Sequence, residues 1–120
     1  MWILLPFGFF SIVEKPGDRG SGMLTVRARA KADLAALRQR MPELRATIAH
    51  EGTDYPFRAR APRQAIAAMF ARFVDDELDY HNFKDEVADQ DPERAHVYHD
   101  VWSALTRIER PLDRAVRRRP

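Results

Sequence analysis

The chain has 120 residues, 45% hydrophobic and 32% charged, which suffices for one domain with its own core and excludes a disordered or membrane-spanning class. It has no cysteine, so disulfides, thiolate nucleophiles and cysteine-ligated metal centres are excluded. The net charge of +2 hides a polarised chain. Residues 1–74 hold twelve Lys/Arg against six Asp/Glu, residues 75–100 two against ten, and residues 101–120 six against two.

Met1 to Val13 is apolar apart from Pro6, Gly8 and Ser11. It is shorter than the roughly 20 residues a membrane helix needs, and it lacks the basic start and cleavage site of a signal peptide. It reads as a buried strand pair, or one bent strand, around Pro6-Phe7-Gly8, and a cytoplasmic location is expected. Phe9 to Glu14 is the clearer strand, rich in aromatic and β-branched residues. Lys15 to Gly22 carries one proline and three glycines and reads as a loop.

Met23 to Ala30 alternates. Leu24, Val26, Ala28 and Ala30 share one side, and Thr25, Arg27 and Arg29 share the other, as in a half-buried strand. A helix is predicted over Lys31 to Met41, with Leu34, Leu37 and Met41 on one face and Pro42 as its stop. Ala46 to Glu51 reads as a third strand. Tyr55 to Ala61 alternates again, with Tyr55, Phe57, Ala59 and Ala61 on one side and Arg58 and Arg60 on the other. Pro56 puts that strand at an edge or at its own start. Pro62 suits the first turn of a second helix, with Ile66, Met69, Phe70 and Phe73 on its buried face.

The two halves resemble each other. Arg27-Ala28-Arg29-Ala30 recurs as Arg58-Ala59-Arg60-Ala61, and Leu34-Ala35-Ala36-Leu37 as Ile66-Ala67-Ala68-Met69. The order ββαββα implies an α+β fold, an antiparallel four-stranded sheet with helices on one face, plus a C-terminal helical segment. In that segment Asn82 caps a short helix, and Asp91-Pro92-Glu93 opens a longer one. Tyr98, Val101, Trp102, Leu105 and Ile108 form its apolar stripe. The stripe is expected to close the core with Trp102 and Leu105, or to pack on the other sheet face, and Pro111 is expected to end the helix. The domain assignment is therefore residues 1–110 as a single α+β domain and 111–120 as a basic, flexible tail.

Four groups of residues could carry function. Arg27, Arg29, Arg58 and Arg60 share the sheet face away from the helices, where they could receive phosphates, nucleic acid or an acidic protein surface. The alternative is that the protein's own acidic 75–100 segment covers them. The strand positions beside them are Thr and Arg, without the aromatics of an RNA-binding sheet. His96, His99 and Asp100 fall one turn apart but match no established metal spacing, so no metal site is assigned. No Gly-x-Ser-x-Gly and no P-loop Lys-Ser/Thr occurs, so no catalytic residue and no cofactor are assigned. The tail from Arg107 to Arg119 is a basic stretch that solubilises the end or makes a non-specific contact with nucleic acid or an acidic partner.

Five stretches also carry a resemblance. Phe9 to Asp18 (FFSIVEKPGD), Leu24 to Arg29 (LTVRAR), Thr53 to Arg58 (TDYPFR), Asp79 to Lys84 (DYHNFK) and His96 to Leu105 (HVYHDVWSAL) resemble a widespread group of small uncharacterised bacterial proteins. The resemblance spans roughly residues 1–105 and implies a bacterial cytoplasmic protein of one domain. The group has no activity to carry over, and the arginine-rich extension departs from its pattern. Within it, Tyr55 and Arg58, and Asp79, His81 and Lys84, are the positions to test.

The leading expectation is a non-enzymatic binding or regulatory module. It would use the arginine face toward an acidic protein surface or anionic ligand, with a homodimer as one arrangement. The first alternative is a nucleic-acid-associated protein using the same arginines and the tail. The second is a small enzyme centred on Tyr55, Arg58, Asp79, His81 and Lys84.

Overall fold

The structure is a computed structural model that describes residues 1–117, with side chains to residue 108. The chain is α+β and divides into two compact units, residues 1–80 and residues 81–120. No helix of the described residues is long and apolar enough to cross a membrane.

The first unit is built on a five-stranded antiparallel sheet. Its strands are β1 (Trp2–Leu5), β2 (Gly8–Val13), β3 (Met23–Ala28), β4 (Ile48–Ala49) and β5 (Phe57–Pro62), in the spatial order β1-β2-β3-β5-β4. Two helices, α1 (Lys31–Arg40) and α2 (Arg63–Arg72), follow β3 and β5. The sequence predicts four strands, and the fifth is β1. Pro6-Phe7 turns the apolar start into a β1–β2 hairpin, with Leu5 opposite Gly8 and Trp2 opposite Ser11.

The two RARA repeats lie side by side in the sheet. β3 pairs with β5 so that Val26 faces Ala59, Leu24 faces Ala61 and Arg27 faces Arg58. Alternation then sorts the side chains by face. Phe10, Ile12, Val26, Ala28, Ala59 and Ala61 join Leu34, Leu37, Met41, Ile66, Met69 and Phe73 in one core. The helices therefore cover a single face of the sheet. Leu34 and Met41 are fully buried, and each such side chain contributes about 1.5–3 kcal/mol. Asp33 is buried too, and its Oδ2 accepts a hydrogen bond from the Phe9 amide at 3.0 Å, which ties α1 to β2.

The strand expected over Ala46 to Glu51 shrinks to Ile48–Ala49. It is an edge strand with Ile48 57% exposed, and single backbone bonds flank it, from the Arg45 amide to the Arg60 carbonyl and from the His50 amide to the Pro56 carbonyl. Past α2, a π-helical turn (Phe73–Glu77) brings Glu77 to Arg40, 3.1 Å away, while the Arg40 guanidinium lies 3.8 Å over the Phe7 ring.

The second unit is a helix pair, α3 (Phe83–Gln90) and α4 (Pro92–Arg117). The Asn82 side chain accepts from the Lys84 and Asp85 amides, as expected of an N-cap. Phe83 stacks on Tyr98 at 5.7 Å, and Val87 is fully buried. Within this unit the apolar stripe of α4 is covered only in part. Tyr98 is buried, yet Trp102, Leu105 and Ile108 are 52%, 54% and 60% exposed. Length explains this. At ~1.5 Å per residue, α3 is too short to cover more than the first turns of α4. The helix also runs past Pro111 to Arg117 rather than ending there. A proline inside a long helix removes one backbone bond without forcing a stop. The side chains of the expected tail, residues 111–120, lie outside the described residues.

Candidate functional site

Strand register writes one row of side chains across the outer sheet face. Trp2 stands opposite Ser11, Ser11 opposite Arg27, Arg27 opposite Arg58, and Arg58 opposite Ile48. Residues two positions along a strand share that face, so Phe9 and Thr25 belong to it as well.

Tyr55 organises the arginines. It was expected beside Phe57 and Ala59 on the helix side, and the structure corrects this. β5 begins only at Phe57 and Pro56 precedes it, so strand alternation does not extend back to Tyr55. The ring instead lies under two guanidiniums, with Arg27 Cζ 4.6 Å and Arg29 Cζ 5.2 Å from its centroid. Such contacts are worth about 0.5–2 kcal/mol each. Arg58 Nε donates to the Tyr55 carbonyl at 3.3 Å. Arg27 Nη2 donates to Ser11 Oγ at 2.7 Å, and Ser11 itself is buried. Arg27 Nε is buried with no hydrogen-bond partner among the described residues.

The fourth arginine is different. Arg60 Nε lies 2.8 Å from Asp18 Oδ1. Asp18 is buried, in a 3-10 turn (Pro16–Asp18) of the glycine-containing loop, and Gly20 and Gly22 beyond it take positive φ of 72° and 74°. Its Oδ2 also accepts from Thr25 Oγ1 at 2.7 Å and from the Lys15 amide at 2.9 Å. Burial alone would raise its pKa. The bonds from Thr25, Lys15 and Arg60, with the Arg60 charge, outweigh that and hold the carboxyl below its ordinary value.

The four-arginine face therefore splits. Arg60 is neutralised by Asp18, a residue of the loop between β2 and β3 rather than of the acidic 75–100 segment. Glu77 of that segment turns to Arg40. Among the described residues of the first unit, no carboxylate lies within ion-pair distance of Arg27, Arg29 or Arg58. Nor is the face free of aromatics, as the strand positions alone suggested. Trp2 and Phe9 pack edge to face at 6.1 Å, and Phe9 leans toward Tyr55 at 6.4 Å.

Of the other expected positions, one lies in the first unit and two in the second. Asp79 is exposed at the end of the first unit. His81 and Lys84 belong to the second unit, where His81 is exposed and Lys84 Nζ stands 4.4 Å over the Trp102 ring. His96 is exposed and His99 stacks on Trp102 at 5.5 Å. Among the described residues, no three His, Asp or Glu side chains gather as a metal site.

Sequence reasoning missed Trp2, Phe9, Ser11 and Asp18. For the first three the signal was available: in a paired hairpin, Trp2, Phe9 and Ser11 take the parity opposite to Leu5, Phe10 and Ile12. Asp18 gave none, because its role depends on Thr25 and Arg60 arriving from distant strands. Comparison with protein-family models, curated proteins and solved structures returns no match.

Proposed function

We propose that this chain is a non-enzymatic binding module whose sheet face receives an anionic partner. One observation carries the reading. Arg27, Arg29 and Arg58 converge on Tyr55 and are held by a ring, a hydroxyl and a carbonyl, with no carboxylate of the first unit's described residues in ion-pair reach. Clustering like charges costs free energy unless a counter-charge arrives, and an anion supplies it through charge-assisted hydrogen bonds. The unpaired Arg27 Nε adds a buried donor in the same place.

The test is retention on immobilised heparin, a polyanion. The Arg29→Ala/Arg58→Ala double variant should elute at clearly lower salt than the unaltered chain. Arg107→Ala, outside the face, should not shift elution comparably. Equal elution of the double variant and the unaltered chain would overturn the proposal.

A further inference from the structure

We infer that the anion taken by this face is a single-stranded nucleic acid. The inference rests on the anion-binding reading and adds the other half of the same face.

The added observation is Trp2. It is 73% exposed, although covering an aromatic ring of this kind removes on the order of 150–250 Å² from water. It is not a stray surface residue. Its ring meets that of Phe9 at near right angles, and register places it in one row with Ser11, Arg27 and Arg58. Trp2 and Arg27 are two strands apart, roughly 10 Å at the usual inter-strand spacing. A flat hydrophobic ring thus lies one short step from a group of unneutralised guanidiniums. Single strands offer that pair of chemistries at that scale: base faces that stack, joined by phosphates that need cations. A duplex hides its base faces and would leave Trp2 unused. Inorganic polyphosphate and an acidic peptide would satisfy the arginines but give Trp2 no planar partner.

A second copy of the chain suits the face poorly. Two such surfaces would bring Arg27, Arg29 and Arg58 against the same uncompensated charges. The exposed stripe of α4 from Trp102 to Ile108 is apolar, and nothing in its charge selects an occupant.

The experiment uses Trp102→Phe, which leaves Trp2 as the sole tryptophan of the two in the chain. Titration with oligothymidylate should quench Trp2 fluorescence, with an affinity that falls steeply as salt rises. Trp2→Ala should weaken oligothymidylate binding roughly ten-fold, leave polyphosphate binding unchanged and leave the thermal midpoint unchanged. Trp2→Phe should restore most of the loss. Arg29→Ala/Arg58→Ala should weaken both probes. If polyphosphate, polyglutamate or duplex DNA binds as tightly as oligothymidylate and Trp2→Ala has no effect, the nucleic-acid inference is overturned while the anion-binding reading stands. If no polyanion responds to the arginine substitutions at low salt, both fall.

Discussion

Arg27 and Arg58 stand directly opposite each other on neighbouring strands, two like charges in one cross-strand pair. Such a pair is destabilising by itself, by a few tenths to about 1 kcal/mol. Tyr55 makes it tolerable, offering its ring to Arg27 and its carbonyl to Arg58. A face kept for binding retains such a cost. Arg58→Glu should therefore raise the thermal midpoint at low salt, because it turns a repulsive pair into an attractive one. The bond to the Tyr55 carbonyl is lost, but Arg58 is only half-buried, so water can replace it. The same variant should bind heparin more weakly. Added salt should shrink the stability gain, since screening weakens both pairs. Melting curves at two salt concentrations check this, and a lower midpoint at low salt would show that the pair is not strained.

Tyr55 itself can be tested through its ring. Tyr55→Phe keeps the surface that faces Arg27 and Arg29, so it should be near neutral. Tyr55→Ala removes a buried aromatic, with an expected cost of about 3–5 kcal/mol. Chemical denaturation of both variants gives the comparison, and equal losses would mean that the hydroxyl, not the ring, organises the site.

Asp18 gives the sheet a pH dependence with a defined sign. Its folded pKa lies below the ordinary 3.8. The stability it contributes is fully present above the unfolded value and is lost as pH falls through the lower, folded pKa. Denaturation free energy should therefore drop below about pH 4 in the unaltered chain and drop less in Asp18→Asn. Asp18→Ala strands the buried Thr25 Oγ1 and removes the acceptor of the Lys15 amide, while exposed Arg60 turns to water, at a cost on the order of 1–3 kcal/mol near neutral pH. Urea melts from pH 3 to pH 7 measure both effects. Parallel pH profiles for Asp18→Asn and the unaltered chain would remove Asp18 as the cause.

Much of the first unit was legible because its periodicities are local. Leu24, Val26 and Ala28 alternate and are buried or half-buried, and Leu34, Leu37 and Met41 repeat at helical spacing and are buried. Asn82 capped where a cap was expected. What failed depended on strand ends and on distant partners. Tyr55 reads as the first residue of an alternating strand, but Pro56 releases it from the pleat. Trp102 and Leu105 read as core, yet a stripe reports only that a face is apolar, not that a neighbour is long enough to cover it. The arginine pairs were visible in the sequence. Their division, with Arg60 tied to Asp18 and the other three gathered at Tyr55, required the register.

The helix pair can be tested at Tyr98. Its ring stacks on Phe83, and its hydroxyl lies 3.1 Å from Arg94 Nη1. Val87 of α3 is buried as well, and Lys84 of α3 lies over Trp102. A helix of eight residues is too short to persist unaided in water. Tyr98→Ala should therefore abolish slow hydrogen exchange in α3, while Tyr98→Phe keeps the stack and most of the protection. Retained protection in Tyr98→Ala would show that α3 is held by something other than this stack.

Among the glycines, Gly8 is the one with no room for a side chain. Gly8 and Phe10 share a face of β2, and Gly8 is buried opposite Leu5. A Cβ there would sit 2.6 Å and 2.9 Å from two Phe10 ring carbons and 3.1 Å from Asp33 Cβ. The Phe10 ring is fully buried and packs on Phe7 at 6.0 Å, so it has no open space to enter. Moving Asp33 instead would strain its bond from the Phe9 amide. Gly8→Ala should thus cost about 1–3 kcal/mol by overpacking, despite the usual gain from replacing glycine in a strand. Phe10→Leu alone should also destabilise, because it trims a full core. Combined, the two should cost less than their sum, since the smaller side chain vacates the space the new methyl needs. A double-mutant cycle from urea melts measures that coupling, and strict additivity would show that the methyl is accommodated by backbone movement rather than blocked by the ring.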